Sequence, residues 1–306
     1  MSRPLQGLII IDLSHRLPGP MCGKVLSDLG AKVIKIEDQK FKDPFVSGLF
    51  SDFDSSFKDW YYSLNEKKEI VRFDFNDPTD QKEIKKLIMK SDAVIMGLPD
   101  STRKKLELKD QDLAFNKPFV VIELLASKVH HRSLHDLNAL ADTGLLSLHV
   151  QGRTDDIVDP PFLPLSGISF GHKAATDLLA YYIVAKSKNE TIFAKTYLDE
   201  SAEDIFGIFW PKKDRENHRK KYLHNGQFPC YTIYKTKDTH YVALAAVEEK
   251  FWLRFCQLFN LDSNVNRFHD KDDSVFKLIS AKFLSLTISE VKSIMGNEDL
   301  CLSIIS

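Results

Sequence analysis

A histidine directly before an aspartate, His135-Asp136, opens the stretch "HDLNALADTGLL" and could perform acid–base chemistry. If a helix begins here, its dipole disfavours the imidazolium ion, so a neutral His135 in the first turn could accept a proton near pH 7. A structural interpretation is also open. Ser133 and Asp136 have the spacing of a capping box, which satisfies free N–H groups at a helix start and would leave His135 as a surface residue. The rest of the chain has to decide between the two.

The composition limits the classes of function. The chain has 306 residues, of which 43% are hydrophobic, so it is long enough for a large core and about two domains. A formal net charge of −1 gives no general attraction to nucleic acid or to a membrane surface. No apolar run is long enough to span a bilayer, and the N-terminus lacks the pattern of a signal peptide. The sequence therefore predicts a cytoplasmic protein with neither nucleic acid nor membrane as a partner.

The cysteines and histidines do not form a metal-binding pattern. Cys22, Cys230, Cys256 and Cys301 lie far apart, and no C-x-x-C pair occurs. Reduced, buried thiols are the simplest interpretation, which agrees with a cytoplasmic location. No H-E-x-x-H motif or Cys/His cluster is present, so we expect no metal site.

The elements that must position the histidine alternate between strand and helix. "LIIIDLS" reads as a buried strand, and the turn Pro18-Gly19-Pro20, a helix and the strand "AKVIKIE" follow it. "IVRFDF", "DAVIMGL" and "FVVIELL" are further strands, and Asp77-Pro78 predicts the start of a helix that runs to about Lys90. The sequence thus predicts an α/β fold, a Rossmann-like parallel-sheet domain.

The second half predicts the end of this domain and a smaller one. A helix is expected from His172 to about Lys186, and then a strand, a helix and a basic linker. The basic run 212–221 could instead bind the phosphates of a ligand or of a nucleic acid. A β-hairpin turning near Lys237-Asp238 precedes three helices and the apolar ending "LCLSIIS". We therefore expect a large domain over 1–186, a connecting segment over 187–225 and a small α+β domain over 226–306.

Common nucleotide and hydrolase motifs are missing. The turn after the first strand reads "SHRLPGPMCGKVL", which lacks the G-x-G-x-x-G spacing that lets backbone approach a pyrophosphate. Neither G-x-x-x-x-G-K-[ST] nor G-x-S-x-G occurs. NAD binding, a P-loop and an α/β-hydrolase site are accordingly not expected.

Four segments in the correct order resemble the family III CoA-transferases and, within them, the α-methylacyl-CoA racemases. They are "LQGLIIIDLSHRLPGPMCGKVLSDLGAKVIKIE", "LNEKKEIVRFDFNDP", "LHDLNALADTGLL" and "NGQFPCYTIYKTKDTHYVALAAVEEKFW". The resemblance implies a Rossmann-like large domain, a small domain and two interlocked chains. It also implies an acyl-CoA substrate and a homodimer, with no covalently bound cofactor, because coenzyme A is part of the substrate.

The resemblance also implies roles for individual residues. The histidine that acts as base at the α-carbon of the thioester matches His135, and its neighbour, which helps at the CoA end, matches Asp136. The glutamate that orients the histidine matches Glu248. The family's second catalytic residue is an aspartate, which also carries the acyl group in the transferases, and its position is occupied by Ser169. Ser169 is expected to be a helix N-cap, and His172 could replace the lost base.

The phosphate-binding residues of the family are also changed. Its "ERP" after the second strand is Glu37-Asp38-Gln39 here, and the arginine of "RPG" has no counterpart at the same position. We expect other basic residues to compensate in part, and these are Lys35, Lys67, Lys68, Arg103 and Lys104.

Three functions remain open at the level of the sequence. The first is proton transfer at the α-carbon of a 2-methylacyl-CoA thioester by a racemase-like enzyme. The second is a catalytically impaired homologue that binds CoA or a protein partner, which the change at Ser169 favours. The third is a CoA-transferase, which would need the missing aspartate.

Overall fold

A computed structural model describes residues 3–48, 52–129, 133–150, 155–210, 212, 223–268 and 274–305. The chain forms two compact units, Met1–Glu216 and Asn217–Ser306. The large unit extends beyond the expected boundary at 186, because the strand after that point pairs within its sheet. Most of the basic run 212–221 lies outside the described residues.

The large unit contains a six-stranded, all-parallel sheet. Its strands are β1 (Ile9–Leu13), β2 (Lys32–Asp38), β3 (Glu69–Phe73), β4 (Ala93–Met96), β5 (Phe119–Leu125) and β6 (Thr191–Tyr197). Their order is β3-β2-β1-β4-β5-β6, so the chain reverses direction across the sheet between β1 and β4. This order confirms the predicted Rossmann-like α/β fold.

Helices cover both faces of this sheet. They are α1 (Pro18–Asp28), α2 (Ser56–Asn65), α3 (Pro78–Met89), α4 (Asp100–Lys105), α5 (Asp136–Asp142), α6 (Leu146–Val150), α7 (Leu165–Lys188) and α8 (Leu198–Phe206). Successive strand residues point to opposite faces, and neighbouring Ile10 and Ile11 accordingly belong to different core clusters. Ile10 packs with residues of α1 and α7, whereas Ile11 packs with residues of α3. Both faces are therefore buried, as the continuous apolar strands predict.

Two helix starts test the expected caps. Asp77 caps α3 as expected, since its side chain accepts a hydrogen bond from the Thr79 N–H and Pro78 follows in the first turn. The expectation that Ser169 is an N-cap is wrong. The helix α7 begins at Leu165, which places Ser169 inside it and makes Pro164 the N-cap.

The small unit has a three-stranded antiparallel sheet and three helices among its described residues. Its strands are β7 (Tyr231–Lys235), β8 (Tyr241–Ala245) and β9 (Leu302–Ile305), in the order β7-β8-β9. The helices α9 (Glu249–Leu258), α10 (Ser274–Leu284) and α11 (Ile288–Met295) lie between β8 and β9 along the chain. The predicted hairpin is confirmed, and the apolar ending becomes a strand paired with β8.

No helix in the described part of the chain is long and apolar enough to cross a membrane.

Candidate active site

The helices α1, α5 and α7 are among those that begin at the carboxyl edge of the sheet of the large unit. The helices α1 and α5 follow β1 and β5, and α7 starts at the same edge because it runs back along the sheet to reach the start of β6. A Cβ at Gly167 would lie 2.8 Å from Leu17 Cδ2, and one at Gly171 would lie 2.8 Å from the Pro18 carbonyl oxygen. These glycines let the starts of α1 and α7 touch. Helix starts present free N–H groups and favour negative charge, although Pro18 and Pro20 remove two of these groups from α1.

Asp136 fastens the start of α5 to the start of α7. Its Oδ1 accepts a hydrogen bond of 2.8 Å from the Gly167 N–H, and the Ser166 hydroxyl lies 3.4 Å from its backbone oxygen. Burial raises the pKa of the Asp136 carboxyl, and the hydrogen bonds from Gly167 and Ser166 oppose this. The carboxylate therefore caps a helix that lies 30 residues further along the chain, in addition to its place in the first turn of α5.

His135 is the N-cap residue of α5 and its side chain is exposed. Its N–H donates 3.1 Å to Asn138 Oδ1, so the helix is capped from His135 and not from Ser133. The predicted capping box at Ser133 is therefore displaced by two residues. The His135 side chain also faces the backbone N–H of Asn138 in this capping box, and the imidazole is exposed at the start of the helix.

Ser169 is buried in the second turn of α7, with 4% of its surface exposed. Its hydroxyl donates 2.9 Å to the Ser166 carbonyl oxygen of the preceding turn. Such a bond to the helix backbone satisfies the hydroxyl and provides no base to activate it. His172 lies three residues further along and is exposed.

Glu248 belongs to the small unit. It is the N-cap residue of α9 and is exposed. The proposed catalytic residues are thus divided, with His135, Asp136 and Ser169 in the large unit and Glu248 in the other.

A cavity of about 250 Å³ opens at the carboxyl ends of the strands on both sides of the reversal in strand order. Ser14 and His15 after β1, Glu37 and Asp38 at the end of β2, and Pro99 after β4 contribute to its lining. Open α/β sheets bind their ligands at this position, in the crevice where the strand order reverses.

Two buried ion pairs lie close to this cavity, and Asp43 of one pair belongs to its lining. Lys35 Nζ lies 3.3 Å from Asp43 Oδ2, and Lys68 Nζ lies 3.0 Å from Asp12 Oδ2, with all four side chains fully buried. Burial opposes ionisation of Asp12, but the ammonium groups of Lys68 and Lys35 hold its pKa below the ordinary value. Asp43 also accepts hydrogen bonds from the Arg16 N–H, so the pairs hold the turn after β1 in place.

These pairs bear on the residues expected to bind CoA phosphates. Lys35 and Lys68 reach no surface, since carboxylates and the carbonyls of Ser14 and Pro20 hold their ammonium groups. Their contribution is to the shape of the turn, because a buried lysine with several partners has little to offer a phosphate.

The other predicted phosphate ligands differ in their environment. Arg103 is buried against Glu123 and Asp110, at 2.6 and 2.9 Å. Lys67 is exposed and lies 2.6 Å from Asp28, whereas Lys104 is exposed at a separate surface hollow. None of the five predicted cations lines the cavity described above.

Two lysines that were not predicted do line it. Lys42 lies in the loop after β2, and Lys105 lies in the last turn of α4, where its ammonium donates to Asn76 Oδ1. Both follow strands at the carboxyl edge, as the strand order requires of a ligand site. The sequence signal for both is a lysine in a segment that follows β2 or β4. The exact spacing of the family's arginines does not identify these lysines.

Comparison with known proteins places the chain in a family. The model of the family described as CoA-transferase family III matches residues 5–306. A CaiB/baiF CoA-transferase family protein of Caenorhabditis elegans is 25% identical over 315 aligned positions, which cover 99% of this chain and 86% of that protein. The human alpha-methylacyl-CoA racemase is 25% identical over 81% of this chain, and the match spans 63% of the racemase.

A transferase and a solved structure give the same result. The succinyl-CoA:glutarate CoA-transferase of Mus musculus is 24% identical over 92% of this chain and 67% of its own length. The crystal structure of a CAIB/BAIF family protein from Brucella suis superimposes with a TM-score of 0.79 at 16% identity, covering 100% of this chain and 85% of that one. The match across nearly all residues, the strand order and the small antiparallel sheet agree: this chain belongs to CoA-transferase family III.

Proposed function

We propose that this chain binds an acyl-CoA thioester and that His135 transfers a proton at the α-carbon of a 2-methylacyl group. One observation carries the proposal. The Asp136 carboxylate binds the start of α7 through the Gly167 N–H, and the neighbouring His135 has an exposed imidazole at the carboxyl edge of the sheet. A general base needs such a fixed position and access to the substrate.

The chemistry fits a site between helix starts. The α-proton of a thioester is weakly acidic, so its removal requires stabilisation of the enolate oxygen. When an imidazole nitrogen of His135 takes the proton, the C–H electron pair moves into the enolate, and the same proton or a solvent-exchanged one returns to carbon. N–H groups at helix starts are suitable donors to the enolate oxygen.

A single base predicts exchange with little inversion. Inversion requires acid–base groups on both faces of the planar enolate, and the resemblance places the second one at Ser169. The buried Ser169 hydroxyl, bonded to the Ser166 carbonyl, is no comparable base. We therefore expect slow α-deuterium exchange with one epimer and little net epimerisation.

Ser169 also supports a second candidate, a non-catalytic homologue that binds CoA or a protein partner. A CoA-transferase is less favoured than either, because it needs a nucleophile where this chain has a hydroxyl that donates to its own helix. The proposal that Glu248 orients the histidine rests on the family resemblance alone.

The test is incubation of the protein with (2R)- and (2S)-2-methylacyl-CoA in deuterated water, followed by mass and chiral analysis of the recovered thioester. The wild-type protein should incorporate one deuterium into one epimer. His135→Ala should reduce the rate by at least about a hundredfold, the usual contribution of a general base. His240→Ala is the matched control and should leave the rate unchanged, because His240 lies in the β7–β8 turn of the small unit.

The outcomes separate the candidates. Fast epimerisation by the wild-type protein would contradict a single base, and His172→Ala would then identify the second one. Absence of exchange with either epimer would contradict the proton-transfer proposal and leave the non-catalytic candidate.

A further inference from the structure

The cavity at the carboxyl ends of β1, β2 and β4 has the position of a nucleoside site, and its charges are unusual for coenzyme A. In folds with this strand order, an acidic residue at the end of β2 receives a ribose hydroxyl, whereas an arginine there accommodates a ribose phosphate. Here β2 ends in Glu37 and Asp38, and both line the cavity. The inference that follows rests on the proposed binding of a CoA-type thioester.

Glu37 binds an arginine side chain of the neighbouring strand, that of Arg72 in β3. The Glu37 side chain is buried, and its Oε1 accepts a 2.7 Å hydrogen bond from the Tyr61 hydroxyl. Its Oε2 accepts a 3.1 Å hydrogen bond from Arg72 Nε. Arg72 lies on β3, directly opposite Glu37 in the strand pairing. The Arg72 guanidinium is thus bound to an internal carboxylate and does not line the cavity.

Asp38 offers an acceptor in the same place. Its Oδ1 already accepts the N–H groups of Lys40 and Phe41, at 2.8 and 2.9 Å, which fixes the carboxylate. Its Oδ2 receives no hydrogen bond from any residue that the structure describes, and the side chain is half-buried. A fixed carboxylate oxygen can accept a ribose hydroxyl, but it repels a phosphate.

The cations of the cavity suit a diphosphate. Lys42 comes from the loop after β2 and Lys105 from α4. Both line the cavity and both are exposed. The start of α1 cannot replace them, because Pro18 and Pro20 lack N–H groups and a Cβ at Gly19 would lie 2.0 Å from Ser14 Oγ. Binding of a diphosphate therefore depends on lysine side chains, which attract phosphates without the geometry of an arginine fork.

The walls of the cavity suit a purine. Ile36, Phe75, Leu98 and Pro99 line it, and Phe75 is buried. Apolar walls around a few placed polar groups are typical of small-molecule sites.

We propose that this cavity takes an adenosine diphosphate moiety with an unphosphorylated ribose, so that the chain binds dephospho-CoA and its thioesters in preference to CoA. Asp38 receives a ribose hydroxyl, and Lys42 and Lys105 receive the diphosphate. The 3′-phosphate of CoA lies against Glu37 and Asp38 and weakens binding.

Titration calorimetry with dephospho-CoA and with CoA tests the preference. The wild-type protein should bind dephospho-CoA at least about fivefold more tightly, a modest ratio because water and salt screen charges at a half-exposed site. Asp38→Arg should reverse the order in favour of CoA. Glu66→Arg, the same charge change at the exposed C-cap of α2, should leave the ratio unchanged.

Equal or tighter binding of CoA by the wild-type protein would overturn the proposal, as would an unchanged ratio in Asp38→Arg or no binding of either compound at millimolar concentration. The ratio is independent of turnover. A protein that prefers dephospho-CoA but catalyses no exchange would retain this inference and lose the proposed proton transfer.

Discussion

Asp136 combines two tasks at the scale of a single residue. It is the first residue of α5 and supplies the acceptor for the Gly167 N–H at the start of α7. The N-cap of α7 is Pro164, whose side chain has no oxygen to offer. A cap contributed from another element therefore replaces the local one, and it positions His135 as a consequence.

The cap and the charge of Asp136 can be separated by two substitutions. Asp136→Ala should lower the free energy of unfolding by about 1 kcal/mol, the usual effect of losing a cap. Asp136→Asn keeps an oxygen acceptor without the buried charge and should be at least as stable as the wild-type protein at pH 7. Urea unfolding of the three proteins measures the difference.

The pKa of Asp136 also predicts that the stability of the protein depends on pH. Burial raises the folded-state pKa of Asp136 above its ordinary value of 3.8. The part of the stability that comes from this pKa shift is therefore complete below that value and is lost as the pH rises through the folded-state pKa, whereas the cap remains. The stability of Asp136→Asn relative to the wild-type protein should increase over that interval. A difference that stays constant from pH 3 to pH 7 would contradict the assigned direction.

Local residue patterns explain which features were predictable. Asp77-Pro78 capped α3 as its sequence indicates, because the cap and the helix are adjacent. Ser169 was assigned as a cap because the start of α7, at Leu165, has no local signal, and its cap is Asp136. The burial of Lys35 and Lys68 depends on carboxylates of other strands and loops, so it could not be derived from the spacing of the lysines.

At the scale of elements, α1 and α7 pack closely because α7 begins with small residues. A Cβ at Gly171 would lie 2.5 Å from Met21 Cβ and 2.8 Å from the Pro18 carbonyl oxygen, distances that real Cβ atoms do not reach. Backbone cannot move aside as a flexible side chain can. The glycine therefore sets the distance between the two helix starts that flank the proposed site.

Gly171→Ala tests this packing with a prediction opposite in sign to helix propensity. Alanine stabilises an ordinary helix interior by about 1 kcal/mol relative to glycine. Here we expect a loss of about 2 kcal/mol, because the methyl group forces α1 and α7 apart. Urea unfolding is the measurement, and Thr176→Ala, an exposed position of the same helix, is the control that should change stability by less than about 0.5 kcal/mol. A stabilised Gly171→Ala protein would contradict the close approach.

At the scale of the whole molecule, each unit has its own core. The parallel sheet of the large unit is buried on both faces, whereas the small unit has one cluster formed by its sheet and helices. The strands β1 to β8 were predicted in the correct order because each is a short apolar or alternating run bounded by turn residues, whereas the short helices α4 and α6 were not predicted. The expected homodimer stays a prediction, for which light scattering at micromolar concentration is the measurement.

Strand β9 offers the last test, because it closes the small unit from the far end of its sequence. Leu302 pairs with Leu244 of β8 and belongs to the core of the small unit, whereas the neighbouring Ser303 is exposed. Leu302→Ala should therefore reduce the stability of this unit by about 2–4 kcal/mol, and Ser303→Ala by less than about 0.5 kcal/mol. Hydrogen exchange reports the two units separately, since amides of β7 and β8 should lose protection in Leu302→Ala while amides of β1, β4 and β5 retain it. An equal loss of amide protection in both sheets would contradict this prediction, because it would mean that the two units unfold together.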